Sequence, residues 1–102
     1  QLYCSRAHGL DETLAMLEAT GFEAVEGYGA LYADAGALRA ALDRHGLAMP
    51  SGHFGLAQVE GDPEGMIAAA RTLGIGKVIV PWIEPEHRGT DAASWAAFAD
   101  RV

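Results

Sequence analysis

The chain has 102 residues, half of them apolar, and carries a formal net charge of −7. This size and composition suit one small globular domain, which we assign to residues 1–102. An acidic chain without a basic run is a poor partner for nucleic acid or for an anionic membrane surface, since both require clustered Lys and Arg. The single cysteine cannot form an internal disulfide, and no stretch approaches the roughly 20 apolar residues of a membrane span. We therefore expect a reduced, cytoplasmic protein.

The first half of the chain reads as two strand–helix units. The apolar start at 1–5 predicts a strand, in which Cys4 is expected to be buried. The segment GLDETLAMLEATG follows, with leucines at helical spacing and Gly21 as the C-terminal stop. The segment FEAVEGYG then predicts a strand at 22–27, and DAGALRAALDRHG repeats the helical pattern as far as Gly46.

The second half repeats the same unit twice. The segment LAMPSG predicts a strand at 47–52, and Asp62-Pro63-Glu64 is a strong helix start, with a capping carboxylate, a proline and an acid in the first turn. That helix is expected to end at Gly74. The β-branched segment KVIVPWI predicts a strand at 77–83 that is buried on both faces. The segment TDAASWAAFADRV opens a fourth helix, with Trp95 in the core.

The stop glycines recur every 25 to 28 residues, which is the length of one strand, one helix and two short loops. Short loops and right-handed crossovers predict parallel strands, either in a closed eight-stranded barrel or in an open doubly wound sheet. Because a barrel typically needs about 250 residues, four units amount to half of one. We therefore predict an α/β fold made of four βα units of a (β/α)8 TIM barrel, a half barrel with parallel strands. The missing initiator methionine also suggests a piece of a longer protein.

The segment GYGALY, residues 27–32, invites comparison with the dinucleotide-binding motif G-x-G-x-x-G. Tyr32 occupies the position of the third glycine, and the helix is predicted to begin near Asp34 instead of at the glycines. The sequence therefore disfavours a dinucleotide-binding fold.

In parallel α/β folds, ligands bind at the C-terminal ends of the strands. Polar and aromatic residues stand at those ends of the predicted strands. Glu26 closes the second strand, where an ionised carboxylate needs a cation, a donor or water. His53 closes the third strand and can bind a metal, hold a hydroxyl or relay a proton. Tyr3 and Trp82 lie at the ends of the first and fourth strands, and Trp82 can wall a sugar-sized pocket.

Each of these residues also has a plain structural interpretation. Glu26 can be a solvated or paired carboxylate, and His53, which lies between two glycines, can belong to an ordinary turn. Trp82 can pack against a neighbouring loop. The functional interpretation gains weight because Glu26 and His53 are predicted at the same edge of one sheet.

Four segments together carry a family resemblance: QLYCSR, LEATGFEAVEGYG, LRAALDRHGLAMPSGHFG and AARTLGIGKVIVPW. They resemble the N-terminal half of the sugar phosphate isomerase/epimerase family, the xylose isomerase-like TIM barrels related to the endonuclease IV type. The resemblance covers essentially the whole chain. It depends on the order of features: a helix ending in G-F/Y-x-x-V-E, then a helix of the form L-x-x-x-L-x-x-x-G-L, then a small-residue strand ending in His.

This resemblance implies a sugar-converting enzyme that uses a divalent metal, Mn, Mg, Co or Zn. Glu26 matches the Glu that commonly closes the second strand, and His53 matches the His that commonly closes the third. That His is a metal ligand in the nuclease branch and more often a substrate-pocket residue in the isomerase branch. The resemblance further implies metal-assisted proton transfer next to a carbonyl, with most metal ligands expected beyond residue 102.

The leading interpretation is thus a sugar or sugar-phosphate isomerase/epimerase, present as an N-terminal fragment that is inactive by itself. The expected ligand is a small sugar or hydroxy-ketone, bound by Tyr3, Glu26, His53 and Trp82, with His53 also a metal ligand and the catalytic residues unassigned. One alternative is a metal-dependent AP endonuclease-like enzyme, which the acidic charge disfavours. Another is a catalytically inert half barrel that self-associates to cover its exposed sheet.

Overall fold

The structure is a computed structural model that describes residues 1–101 and shows a mixed α/β fold. Its open parallel sheet contains, within those residues, the strands β1 (Ala24–Tyr28), β2 (Ala48–His53) and β3 (Lys77–Ile79), in the spatial order β1-β2-β3. The α-helices are α1 (Leu10–Ala19), α2 (Ala35–Arg44), α3 (Leu56–Gly61), α4 (Pro63–Leu73) and α5 (Ala92–Ala99). Short 3-10 helices cover Leu2–Ser5, Gly29–Asp34 and Pro85–His87. None of the helices in the described part of the chain is long and apolar enough to cross a membrane.

Local signals in the sequence predicted the C-terminal ends of α1, α2 and α4 correctly, whereas α3 was not predicted. Gly21, Gly46 and Gly74 have φ angles of 85°, 61° and 75°, the left-handed conformation that ends a helix and that glycine adopts without strain. The side chain of Asp62 accepts a hydrogen bond of 3.0 Å from the backbone N–H of Gly65 and caps α4 as predicted.

The predicted first strand at 1–5 is wrong. Residues Leu2–Ser5 form a 3-10 helix, in which backbone hydrogen bonds such as Cys4 N–H to the Gln1 carbonyl replace a sheet ladder. Leu2 is buried against the core, whereas Cys4 is exposed, so the expected burial of Cys4 is wrong as well. In the described residues the sheet therefore has three strands instead of the predicted four, and the half barrel is not confirmed.

The last part of the chain is also less buried than predicted. The strand expected at 77–83 covers only Lys77–Ile79, because Pro81 has no backbone N–H to continue a ladder. Val78 is 40% exposed instead of buried on both faces. Trp95 is 42% exposed and contacts the ring of Phe98 on its own helix, so its predicted place in the core is wrong.

The two faces of the sheet differ in chemistry because side chains alternate along the strands, and a register irregularity in β2 before Ser51 lets Met49 and Ser51 face opposite sides. One face, with Val25 and Met49, packs in the core together with residues of the helices and loops, among them Leu14, Leu38, Leu42, Phe54 and Leu73. Helix α2 packs against both α1 and α4. The other face carries Glu26, Ser51 and His53, which are only partly buried. The fold therefore leaves a polar face of the sheet open.

Two glycines on the core face make room for Tyr32. Its ring stacks on Phe54 with centroids 4.4 Å apart and lies against the sheet. A Cβ atom at Gly27 would lie 2.7 Å from Met49 Sδ and 2.8 Å from the hydroxyl oxygen of Tyr32, and one at Gly52 would also collide with that hydroxyl. The first glycine of GYGALY is therefore required by packing.

Candidate functional site

A carboxylate–imidazole pair lies on the open face at the C-terminal edge of the sheet. The parallel register pairs Glu26 with Ser51 and Tyr28 with His53, which puts all four side chains on one face. Glu26 Oε1 lies 3.0 Å from His53 Nε2, and both side chains are 25% exposed. Ser51 Oγ donates a hydrogen bond of 2.7 Å to Glu26 Oε2. The structure thus brings Glu26 and His53 into direct contact.

An open cleft of about 460 Å³ lies next to this pair. Its volume is within the range of about 300–1,000 Å³ typical of small-molecule sites. The residues that line it are Gln1, Tyr3, Tyr28, Gly29, His53, Phe54, Gly55, Pro81 and Trp82. Three of the four predicted site residues, Tyr3, His53 and Trp82, therefore line one cleft. Glu26 does not line it but contacts His53, which does.

Aromatic rings form the walls of the cleft. Tyr3 and Tyr28 meet edge to face with their centroids 5.3 Å apart, and Tyr3 is 48% exposed. Trp82 is 57% exposed, and the guanidinium of Arg88 lies 4.3 Å from its ring centroid. Such exposed rings offer flat apolar surface beside the polar His53–Glu26 pair. The cleft can therefore contact both the C–H groups and the hydroxyls of one small ligand.

Tyr28, Ser51 and Gln1 lie at this site but were not among its predicted residues. The period of two along a strand could have identified Tyr28 and Ser51, since they lie two residues from Glu26 and His53 respectively. Gln1 Nε2 lies 3.4 Å from His53 Nδ1, and no local sequence pattern predicts this contact because the two residues lie 52 positions apart.

Tyr32 lies behind the pair, on the core side of the sheet. Burial raises the pKa of its phenol, the negative charge of Glu26 raises it further, and the backbone of His53 acts in the opposite direction without reversing the shift. The hydroxyl is therefore neutral at physiological pH. Within residues 1–101 its oxygen has no hydrogen-bond partner. Tyr32 thus supports the site by packing instead of by direct contact with the cleft.

The donors present do not make a metal site by themselves. Within the described range, no group of three or more His, Cys, Asp and Glu side chains is arranged to hold a metal ion. Glu26 and His53 contact each other, and two such groups supply fewer donors than a metal held in fixed geometry requires. The predicted divalent metal, with His53 among its ligands, stays a prediction.

No protein-family model matches the chain, and no curated protein matches its sequence. The fold and the cleft define a mixed α/β protein with a ligand-sized opening at the C-terminal edge of a parallel sheet.

Proposed function

We propose that the chain is the N-terminal half of a xylose isomerase-like (β/α)8 barrel whose full-length form isomerises or epimerises a small sugar, sugar phosphate or hydroxy-ketone. The observation that carries this proposal is the cleft, with an aromatic wall and the Glu26–His53 pair at the C-terminal edge of the sheet. Ligands of parallel α/β barrels bind at that edge. A divalent metal, Mn, Mg, Co or Zn, belongs to the proposal only for the full-length barrel.

The order of the strands favours a barrel over a doubly wound sheet. A doubly wound sheet has helices on both faces, and its strand order reverses at a switch point. Here the order β1-β2-β3 follows the chain without reversal, and polar residues occupy the face away from the core. In the proposed barrel that polar face is the interior, and the 3-10 helix Leu2–Ser5 lies beside β1.

The chemistry of the cleft favours a neutral, hydroxylated ligand. Exposed rings at Tyr3 and Trp82 suit a compact ligand with apolar C–H groups, and His53 offers a hydrogen-bonding nitrogen. The net charge of −7 disfavours a nucleic acid backbone, so the AP endonuclease-like alternative has less support.

Ligand binding can be measured through Trp82. The chain contains two tryptophans, so Trp95→Phe leaves Trp82 as the only indole reporter. We expect titration with xylose, fructose or dihydroxyacetone to give a saturable change in its fluorescence. In the same background His53→Ala is expected to weaken binding about 2- to 10-fold, the loss of one hydrogen bond.

His8→Ala is the matched control, because His8 lies outside the lining of the cleft, and it is expected to leave the binding curve unchanged. The proposal fails if none of these ligands produces a saturable change, or if His8→Ala weakens binding as much as His53→Ala.

The isolated chain is expected to show no isomerase activity on ketoses with Mg²⁺, Mn²⁺ or Co²⁺. One His and one Glu supply too few ligands to hold such a metal in a defined geometry. Conversion can be followed by NMR of the sugar at several metal concentrations. Metal-dependent turnover by the purified chain would show that its own residues complete the active site.

The isolated chain is also expected to self-associate. Among residues 1–101 no strand pairs with the outer edge of β3, and apolar side chains near it, such as Val78 and Trp82, are exposed. Sedimentation at increasing concentration should reveal oligomers. Val78→Lys is expected to weaken association, whereas Met16→Lys, on α1, is the control that leaves it unchanged. A compact monomer at every concentration would contradict the half-barrel proposal.

A further inference from the structure

We infer that Glu26 is a positioning residue that holds neutral His53 as the Nε2–H tautomer, so that Nδ1 is the atom that accepts a hydrogen bond from a ligand hydroxyl. The hydroxylated ligand rests on the proposed function, whereas the tautomer rests on geometry alone. The two nitrogens of the His53 imidazole thus have separate roles.

The charge of Glu26 and the donor group of Gln1 favour one position of the proton. Nε2 lies 3.0 Å from Glu26 Oε1, so a hydrogen on Nε2 turns its partial positive charge toward the carboxylate, whereas a lone pair there would face the negative oxygen. In the neutral ring Nδ1 then has the free lone pair. The side-chain amide nitrogen of Gln1, which is a donor, lies 3.4 Å from Nδ1 and agrees with that assignment.

Ser51 restrains the carboxylate that makes this contact. Its hydroxyl donates to Glu26 Oε2 at 2.7 Å, so both carboxylate oxygens have partners. Because Glu26 and Ser51 are neighbours across β1 and β2, the sheet register itself sets the orientation of the carboxylate. Two adjacent strands thus orient the imidazole.

The cleft lies on the side of His53 that the carboxylate does not occupy. His53 is part of the cleft lining, together with Gln1 and the aromatic walls, whereas Glu26 is not. The Gln1 contact is long for a hydrogen bond, so a ligand hydroxyl can replace it at Nδ1. The same geometry limits a metal at His53 to Nδ1 as long as Glu26 keeps Nε2.

Nitrogen NMR of the chain labelled with ¹⁵N-histidine tests the tautomer without any ligand. At a pH where His53 is neutral, we expect Nε2 at the shift of a protonated ring nitrogen and Nδ1 at that of an unprotonated one. We also expect a slowly exchanging Nε2–H proton signal. In Glu26→Ala this proton signal should disappear, and the Nδ1 and Nε2 shifts should move toward those of a free imidazole in tautomer exchange.

Two further variants separate positioning from folding. Glu26→Asp retains a carboxylate and should recover part of the Nε2–H signal, while Glu23→Gln, a surface change just before β1, should leave the His53 spectrum unchanged. Backbone amide spectra of each variant report whether the fold is intact. The inference is overturned if neutral His53 carries its proton on Nδ1, or if a folded Glu26→Ala retains the wild-type nitrogen shifts. If the NMR spectra show the expected tautomer but no sugar binds, the proposed function is contradicted and the tautomer assignment is not.

Discussion

Replacing Phe54 with alanine is expected to lower the free energy of unfolding by about 3–5 kcal/mol, the cost of emptying a buried aromatic site. Phe54 is completely buried, and its ring stacks on Tyr32 with the centroids 4.4 Å apart. It directly follows His53, and its backbone N–H donates to the carbonyl of Ile79 at 2.9 Å, which ties β2 to β3. A small domain is stable by only about 5–15 kcal/mol, so much of the folded population should be lost.

Urea denaturation followed by circular dichroism measures this change. Phe22→Ala is the matched control, because Phe22 is 58% exposed and its removal leaves no cavity. We expect the control to change the free energy of unfolding by about 0.5 kcal/mol or less, as is usual at the surface. Equal losses from the two variants would show that Phe54 does not lie in the core as described.

Replacing Gly52 with alanine is expected to lower the free energy of unfolding by about 1–3 kcal/mol through overpacking. The new Cβ would collide with the hydroxyl of Tyr32 and lie 2.9 Å from Ile75 Cδ1. Gly52 is paired on both sides, with Gly27 of β1 and Val78 of β3, so the backbone has little freedom to move away. In a domain of this size each kcal/mol corresponds to a shift of about 4–8 °C in melting temperature.

Thermal melting of two further variants identifies the source of the strain. Gly29→Ala is the control, since a Cβ there meets no atom within 4 Å among the residues described. In a Tyr32→Phe background Gly52→Ala should lower the melting temperature by less, because the colliding hydroxyl is absent. If Gly52→Ala lowers the melting temperature equally in the Tyr32→Phe background, the strain comes from Ile75 instead. If Gly52→Ala leaves the melting temperature of the otherwise unchanged chain unaltered, Tyr32 does not approach Gly52 as closely as described.

Features that depend on a few neighbouring residues were predictable from the sequence. The glycine stops at Gly21, Gly46 and Gly74 follow from backbone sterics, and the cap at Asp62 follows from the unpaired N–H groups of a helix start. The strands at 24–28 and 48–53 lie in the short segments between those glycine stops and the next helix, where the sequence placed them. These elements also predicted that Glu26 and His53 would lie near the same edge of a parallel sheet.

Features that depend on a distant partner were not predictable in the same way. An apolar segment such as 1–5 becomes a strand only when a neighbouring strand supplies hydrogen bonds, and the described structure satisfies its backbone locally instead. Trp95 had the pattern of a core residue, but α5 buries none of its residues against the rest of the described chain. Periodicity identifies an apolar face without identifying what covers it.

The sequence by itself determined the strands β1 and β2, the glycine-terminated helix ends, and which polar residues close those two strands, because sterics and capping act within a few residues. Only the tertiary structure decided that Glu26 accepts a hydrogen bond from Ser51 and contacts His53 beside an aromatic cleft. The reason is the sheet register: a shift of a single residue would turn these side chains to the other face, and the register is set by packing of the core residues beneath the sheet.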